Sequence, residues 1–181
     1  MRIIAGEWRG RKLVAPPGEL TRPTADRTRE TLFNMLASRL GSFEGLQVLD
    51  LFAGSGALGL EALSRGAAAC LFVEQDPAAV KAIRGNIEAL EARSRCIVQQ
   101  GSVLSLGPAK AECDLILLDP PYDTGAGEVA LDRMLRLGWI GDATWIALET
   151  HHKENVAIKG LQIAAERKVG KAMLRLLRLP D

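Results

Sequence analysis

The chain has 181 residues and a net charge of +1, with 48% apolar and 25% charged residues. This length suits a single domain with a substantial core, and these fractions are typical of a soluble globular protein. No apolar stretch approaches the roughly 20 residues that a membrane-spanning helix needs, and the N-terminal sequence lacks the apolar region of a secretory signal. We therefore expect a cytoplasmic protein that has no membrane partner.

The charge is distributed unevenly along the chain. Residues 1–40 carry a net charge of +4, residues 41–150 carry −7, and residues 151–181 carry +4. An acidic body with basic ends suits a catalytic core that meets a polyanion at its edges, but ordinary solvated surface charge gives the same pattern.

The cysteines and histidines do not form a pattern typical of metal sites. Cys70, Cys96 and Cys113 are odd in number, fall in apolar strand-like segments and show no CxxC spacing, so we interpret them as reduced core residues. His151 and His152 adjoin each other without a nearby partner ligand, which favours a surface or strand-end position. We expect no metal.

Residues 1–40 predict a hairpin followed by a helix. Segments 2–5 and 12–14 flank a glycine-containing turn, and Trp8 in that turn is either an exposed stacking surface or the cap of a small satellite core. The helix runs from Thr24, a plausible N-cap, to Leu40. Arginine suits phosphate contacts but is also ordinary on surfaces. The candidate nucleic-acid contacts are Arg9, Arg11, Lys12, Arg22, Arg27 and Arg29.

The stretch Val48–Gly59 predicts a buried strand, a glycine turn and a helix. Gly54 and Gly56 allow the backbone to turn sharply and to approach a ligand closely. Alone, the pattern also describes an ordinary strand-to-helix turn. Its candidate ligand-binding residues are Asp50, Phe52, Gly54, Ser55 and Gly56.

Strands and helices alternate through the rest of the chain. We predict strands at 69–73, 96–98, 113–118 and 144–148, helices from residue 77 and over 127–137, and a closing antiparallel hairpin over 161–179. This order implies an α/β, Rossmann-like, mostly parallel and doubly wound sheet. Its ligand should lie beyond the carboxyl ends of the strands, where Asp50, Glu74, Ser102 and Asp119 fall.

Glu74 ends the second strand, 20 residues after Gly54. A carboxylate at that place can accept hydrogen bonds from both hydroxyls of an adenosine ribose, and the spacing fits NAD and S-adenosylmethionine alike. Gln75, which follows it, joins the candidate cofactor site.

The sequence Asp119-Pro120-Pro121-Tyr122 separates these two ligands. The prolines fix an extended backbone and remove two donors, so the Pro120 carbonyl and the Asp119 carboxylate form two acceptors suited to an exocyclic –NH2 group. Tyr122 offers a face on which a base can stack. Hydrogen bonds to the amine would localise its lone pair toward a neighbouring methyl group, so positioning and electrostatics would carry the reaction.

Two of these motifs resemble those of a known superfamily. Asp50–Gly56 resembles motif I of class I S-adenosylmethionine-dependent methyltransferases, and DPPY resembles the motif of their branch that methylates amines of adenine, cytosine or guanine. Residues 1–13, MRIIAGEWRGRKL, and 22–36, RPTADRTRETLFNML, are more specific. They resemble the RsmD family of bacterial small-subunit rRNA guanine-N2 methyltransferases. The resemblance to this family covers nearly the whole chain.

The resemblance implies a monomeric methyltransferase domain over 1–181, with residues 1–40 as an RNA-contacting extension and 41–181 as the catalytic core. It implies N2 methylation of one guanine of 16S rRNA within the small ribosomal subunit, with S-adenosylmethionine as cofactor. The methionine part would contact Asp50, Gly54 and Gly56, the ribose Glu74, and the guanine Asp119, Pro120 and Tyr122. Ser102 departs from the family, whose members often carry an acid or Asn there for the adenine amine.

Four alternatives remain at this point. An NAD-dependent oxidoreductase shares the glycine turn and Glu74 but gives no reason for DPPY. Methylation of DNA adenine is disfavoured because no recognition domain is present, and methylation of protein glutamine because such enzymes usually carry Asn in place of Asp119. A catalytically silent RNA-binding protein would keep the fold without turnover.

Overall fold

A computed structural model describes residues 1–18 and 23–181, without the side chains of residues 23 and 24. Two short 3-10 turns cover 93–95 and 103–105. The helices and strands are α1 (Pro23–Leu40), β1 (Gln47–Leu51), α2 (Ala57–Ser64), β2 (Ala69–Glu74), α3 (Pro77–Ala89), β3 (Cys96–Gln100), β4 (Leu115–Leu118), α4 (Ala126–Arg136), β5 (Trp145–His151), β6 (Gln162–Val169) and β7 (Ala172–Arg178).

The seven strands form one sheet in the order β3-β2-β1-β4-β5-β7-β6. The pairs among β3, β2, β1, β4 and β5 are parallel, and β7 pairs antiparallel with both β5 and β6. The predicted Rossmann-like α/β fold with a closing hairpin is confirmed. The direction of winding reverses between β1 and β4, which is where such sheets bind their ligands.

The central strands are apolar on both faces because helices cover both. All four residues of β4 are buried, as a parallel strand inside a doubly wound sheet requires. Residues on alternate sides of the sheet belong to two different apolar clusters. Val48 and Leu115 pack with the residues from α1 and α2, whereas Leu49 and Ile116 pack with those from α4.

The N-terminal segment forms a minimal version of the predicted hairpin. Its two arms are joined by an antiparallel bridge between Arg2 and Lys12 and by backbone hydrogen bonds, such as that from the N–H of Leu13 to the Met1 carbonyl at 2.8 Å, but they do not form extended strands. Other backbone groups of the segment bond to side chains of the core. The Glu61 carboxylate accepts from the N–H groups of Ile4 at 2.9 Å and Ala5 at 3.1 Å.

Asn86 on α3 holds the end of the same segment. Its Oδ1 accepts from the N–H of Val14 at 2.8 Å, and its Nδ2 donates to the Val14 carbonyl at 2.9 Å. The same Nδ2 donates to the carbonyl of Ser55 at 3.0 Å. One amide therefore ties the N-terminal segment to the loop that follows β1.

The predicted helix over 24–40 is present as α1, with Phe33 and Leu36 fully buried. The prediction of Thr24 as the N-cap is wrong, because the helix begins one residue earlier, at Pro23. Arg22 lies outside the described part of the chain. Strand β5 continues three residues beyond its predicted end, to His151. Within the described residues, no helix is long and apolar enough to cross a membrane.

The three cysteines are free thiols, with Cys70 and Cys113 buried and Cys96 half-buried. Burial raises the pKa of the Cys96 thiol to about 11 and that of Cys113 to about 12. Both stay protonated at neutral pH, as expected of reduced residues in an apolar environment.

Glu61 allows a test of how firmly the N-terminal segment is held. Its fully buried carboxylate also accepts from Arg29 and Arg65. Glu61→Ala leaves four donors without their acceptor, so we expect it to lower the free energy of unfolding by about 3–5 kcal/mol in urea denaturation.

A matched control is Asp132→Ala, which breaks an exposed ion pair with Arg136 whose side chains are 57% and 69% exposed. Its cost should stay below about 1 kcal/mol. Equal losses in the two variants would contradict the structural role given to Glu61.

Candidate active site

The register of the parallel strands brings four chemical groups to one edge of the sheet. Leu51 of β1 pairs with both Val73 and Leu118, and Leu118 pairs with Leu148. The residues that directly follow these four are Phe52, Glu74, Asp119 and Glu149. They line a single cavity of about 1390 Å³, larger than the roughly 300–1,000 Å³ of a typical small-ligand pocket. The cavity therefore has room for two ligands.

The glycine loop forms one wall of this cavity. Phe52 has a φ of +56°, Gly54 +57° and Gly56 +82°, so three residues of the loop adopt left-handed backbone conformations. Gly54 and Gly56 adopt this conformation readily because they have no Cβ, and it turns the backbone sharply. Phe52, Gly54 and Ser55 line the cavity.

Glu74 is held by the loop that it faces. Its Oε1 accepts from the N–H of Gly54 at 2.8 Å, and its Oε2 from the N–H of Asp76 at 2.9 Å. A carboxylate has about four acceptor positions, so two remain for a ligand. The sequence predicts an acceptor for two vicinal hydroxyls here, and the structure fixes that carboxylate in the cavity wall.

Asp50 and Gly56 lie behind the loop and do not line the cavity. The Asp50 carboxyl is buried, and its Oδ2 accepts from the N–H of Gly59 on α2 at 3.0 Å. Burial raises the pKa of Asp50 well above its usual value, against the effect of the Gly59 hydrogen bond, and the charge of Glu74 raises it further. The cavity geometry gives both residues a supporting position rather than a direct contact with a ligand.

Ser102 and Gln75 both line the cavity. The Ser102 Oγ already accepts from the N–H of Leu104 at 3.2 Å, where it caps a 3-10 turn. Gln75 is exposed at the end of β2.

The predicted amine-binding residues come from the end of β4. Asp119, Pro120 and Tyr122 all line the cavity, and Pro120 is buried. A Cβ on Gly127 would lie 3.1 Å from the Pro120 side chain, so α4 packs closely against Pro120. This packing holds the chain in the extended form that consecutive prolines favour.

Tyr122 is 40% exposed, and two residues of β5 hold it. Its hydroxyl donates to Glu149 Oε2 at 3.0 Å, and its ring meets the His151 ring edge to face at 5.5 Å. Burial and the Glu149 carboxylate raise the pKa of Tyr122 above its usual value. The phenol therefore stays protonated and keeps donating to Glu149.

Sequence reasoning missed Glu149 and Lys171. Glu149 follows the predicted strand 144–148, the same position that identified Glu74. Burial raises the pKa of Glu149, while the hydrogen bond from Tyr122 lowers it. Lys171 lies in the turn between β6 and β7, which the sequence predicts, but only the tertiary structure brings that turn to the cavity.

The basic residues divide into two groups. Arg9, Arg11, Lys12 and Arg27 are exposed, and Arg11 donates to the Ala89 carbonyl. The expectation for Arg29 needs correction, because its side chain is only 4% exposed and pairs with Glu61 and Asp26.

The reading of Trp8 as an exposed stacking surface is also wrong. Trp8 is 8% exposed and belongs to the core. The Arg95 guanidinium lies 5.2 Å from its ring centroid.

Within residues 1–18 and 23–181, no three His, Cys, Asp or Glu side chains are grouped as a metal would require.

The sheet order, the glycine loop and the cavity at the carboxyl edge define the Rossmann-like fold shared by many methyltransferases. The sequence matches the family described as "Conserved hypothetical protein 95" over residues 1–178. The chain belongs to this family, the RsmD family that the N-terminal motifs resemble.

Relatives and a solved structure agree with this assignment. The chain is 41% identical to "Ribosomal RNA small subunit methyltransferase D" of Escherichia coli strain K12, over 83% of this chain and 74% of that protein. It is 35% identical to the Haemophilus influenzae protein of the same name, over 97% of this chain and 92% of that one. The solved structure of an Escherichia coli putative methyltransferase, yhhF, has a TM-score of 0.85 and 38% identity, covering 99% of this chain and 97% of that chain.

The raised pKa of Asp50 predicts a pH-dependent difference from Asp50→Asn, which keeps an acceptor for Gly59. In the folded protein Asp50 holds its proton to a higher pH than in the unfolded chain, where the pKa is about 3.9. The wild type should therefore lose stability relative to the variant as pH rises above about 4. Urea denaturation between pH 4 and pH 8 measures this, and a constant difference across that range would contradict it.

Proposed function

We propose that this protein transfers a methyl group from S-adenosylmethionine to the N2 amine of one guanine of 16S rRNA, with the small ribosomal subunit as partner. The observation that carries this proposal is the meeting of the glycine loop, Glu74 and the tip of β4 in one cavity. The names of the relatives from Escherichia coli and Haemophilus influenzae support rRNA of the small subunit as the substrate.

The residues present fit the cofactor. Phe52, Gly54 and Ser55 would bind its methionine part, the oriented Glu74 carboxylate its ribose hydroxyls, and Gln75 and Ser102 lie on the same wall. Since the Ser102 hydroxyl already caps Leu104, its remaining capacity for the adenine amine is one acceptor position. When bound, S-adenosylmethionine supplies an electrophilic methyl group on a positively charged sulfur.

The chain's own residues prepare the amine. Asp119 and the Pro120 carbonyl accept hydrogen bonds from N2–H groups, which directs the nitrogen lone pair away from the purine ring. Tyr122 stacks on the base, which must leave its own stack to reach the cavity. After the new N–C bond forms, Asp119 accepts the proton that the nitrogen loses. Positioning and electrostatics carry the step without a covalent enzyme intermediate.

The RNA contact falls to the exposed basic residues. Arg9, Lys12 and Arg27 project from the N-terminal segment and α1, and Lys171 stands at the cavity mouth. The N-terminal segment is bonded to α2 and α3 through Glu61 and Asn86. RNA bound there would therefore be held in a fixed position relative to the glycine loop.

Loss of the modified nucleoside in cells tests the function. Mass mapping of 16S rRNA from cells lacking this protein should show one N2-methylguanine replaced by guanine, and the wild-type protein should restore it. Asp119→Ala should bind S-adenosylhomocysteine normally in calorimetry but restore nothing, because one acceptor for the amine is gone.

Asp123→Asn is the matched control for this experiment. It removes a carboxylate from the same exposed loop, and Asn tolerates the φ of +59° at that position. It should restore methylation fully. An unchanged methylation map in the deletion strain would overturn the proposed function, whatever the behaviour of the variants.

The basic N-terminal contact predicts a change in the salt dependence of RNA binding. Replacing Arg9, Arg11 and Lys12 together by Ala should weaken binding and reduce the slope of log K against log salt concentration by about 2–3, because each lost phosphate contact removes about 0.7–0.9. A control variant with Ala at Lys110, Arg136 and Lys159 removes the same charge from other exposed positions. Equal slopes in the two variants would exclude the N-terminal residues from the interface.

A further inference from the structure

Glu149 is the acidic residue of the cavity that the proposed function leaves without a role toward the substrate. It directly follows Leu148, the register partner of Leu118, just as Asp119 directly follows Leu118. Asp119 and Glu149 are thus neighbours in the chain register, at the carboxyl end of β4 and beside it on β5. Asp119, Glu149 and Tyr122 line the same cavity, and the Tyr122 hydroxyl donates to Glu149.

The contacts of Glu149 fix its place relative to the predicted stacking ring. Its Oε2 accepts from the Tyr122 hydroxyl at 3.0 Å. No donor among residues 1–18 and 23–181 forms a hydrogen bond to the other carboxylate oxygen of Glu149, Oε1. The carboxylate is therefore held at the hydroxyl end of the ring, beside the edge of any base that stacks on that ring, with one oxygen able to accept.

Two neighbouring carboxylates suit only one of the amino-bearing bases. Guanine carries two adjacent donors on its Watson–Crick edge, the N1–H and the N2 amine. Adenine and cytosine instead place an amine next to a ring nitrogen that carries a lone pair. A carboxylate facing that nitrogen meets acceptor against acceptor, which leaves both groups without a hydrogen bond.

We propose that Glu149 is a specificity-determining residue that accepts a hydrogen bond from N1–H of guanine while Asp119 and the Pro120 carbonyl accept from its N2 amine. This inference rests on the proposed function and deepens it, because it assigns the choice of base to one side chain of β5. A second role of Glu149, accepting from Tyr122, is compatible with it because the two bonds use different oxygens.

The competing explanation is that Glu149 only orients Tyr122. Glu149→Gln distinguishes the two explanations. The glutamine side chain carries no charge and has one acceptor oxygen in place of two, so that oxygen can accept from the Tyr122 hydroxyl while no second oxygen is left for N1–H. Tyr122→Phe is the complementary variant, which removes the hydroxyl and leaves the Glu149 carboxylate in place.

The probe is 2-aminopurine, which has the same 2-amino group as guanine but no hydrogen on N1. Small subunits would be assembled from 16S rRNA carrying guanine or 2-aminopurine at the mapped position, prepared by splinted ligation. The measured quantity is kcat/KM for methylation of each substrate by each protein. The loss of the 6-oxygen affects all proteins alike, so a double-mutant cycle isolates the coupling between residue 149 and N1–H.

The wild type should prefer guanine strongly, and Glu149→Gln should reduce that preference about 10- to 100-fold, mainly by losing activity on guanine. Tyr122→Phe should lower activity on both substrates by a similar factor and keep the preference. Binding of S-adenosylhomocysteine should change less than twofold in both variants, which shows that the site is still folded.

A guanine preference that Glu149→Gln leaves intact would overturn the inference while the proposed function stands. A wild-type protein that methylates neither substrate, in particles that lack the modification, would instead overturn the proposed function. The two failures are therefore distinguishable in one set of assays.

Discussion

The parallel pairing of β1 with β2 on one side and β4 on the other is the constraint on which the site depends. Leu51 has register partners in both neighbours, so the chain leaves all three strands at the same level of the sheet. The glycine turn, Glu74 and Asp119 are distant in sequence. They meet because each begins directly after one of the register partners Leu51, Val73 and Leu118. A one-residue slip of β4 would move Asp119 along the edge and turn its side chain to the opposite face.

A second constraint joins the N-terminal segment to this edge. The Asn86 side-chain nitrogen donates to the carbonyls of both Ser55 and Val14. The Glu61 carboxylate accepts hydrogen bonds from two backbone N–H groups of the segment and from two guanidinium groups. These are side-chain contacts from inside the Rossmann-like core to a segment that precedes it. On the proposed function, the surface that meets RNA and the loop that meets the cofactor move as one unit.

Much of the fold follows from periodicity and from strand ends, and the errors have physical causes. The five parallel strands and the final hairpin are predictable because apolar runs alternate with amphipathic helices. Arg29 is misjudged because arginine is usually exposed, whereas the two interpretations of Trp8 could not be separated until the structure placed its ring in the core. Arg29 lies four residues before Phe33 and seven before Leu36, so it shares their buried face. Only the structure shows that the Glu61 carboxylate lies there as its partner. Glu149 directly follows the predicted strand 144–148, so the strand-end rule that identified Glu74 applies to it as well. It is missed because no sequence motif marks it, and only the structure shows its hydrogen bond with Tyr122.

The remaining question is how an acidic cavity meets a polyanion. Glu74, Asp119 and Glu149 stand at one edge with Asp50 buried behind them, in the part of the chain whose net charge is −7. Such an edge repels phosphate, but on the proposed function it attracts the cationic methyl donor and accepts hydrogen bonds from the donor-rich edge of guanine. Phosphate contacts must then come from elsewhere, and the exposed Arg9, Lys12 and Lys171 belong to the two segments of positive net charge. On the proposed function, the uneven charge along the sequence therefore separates two tasks in space: the acidic residues bind the base and the methyl donor, and the basic ends of the chain bind the RNA backbone.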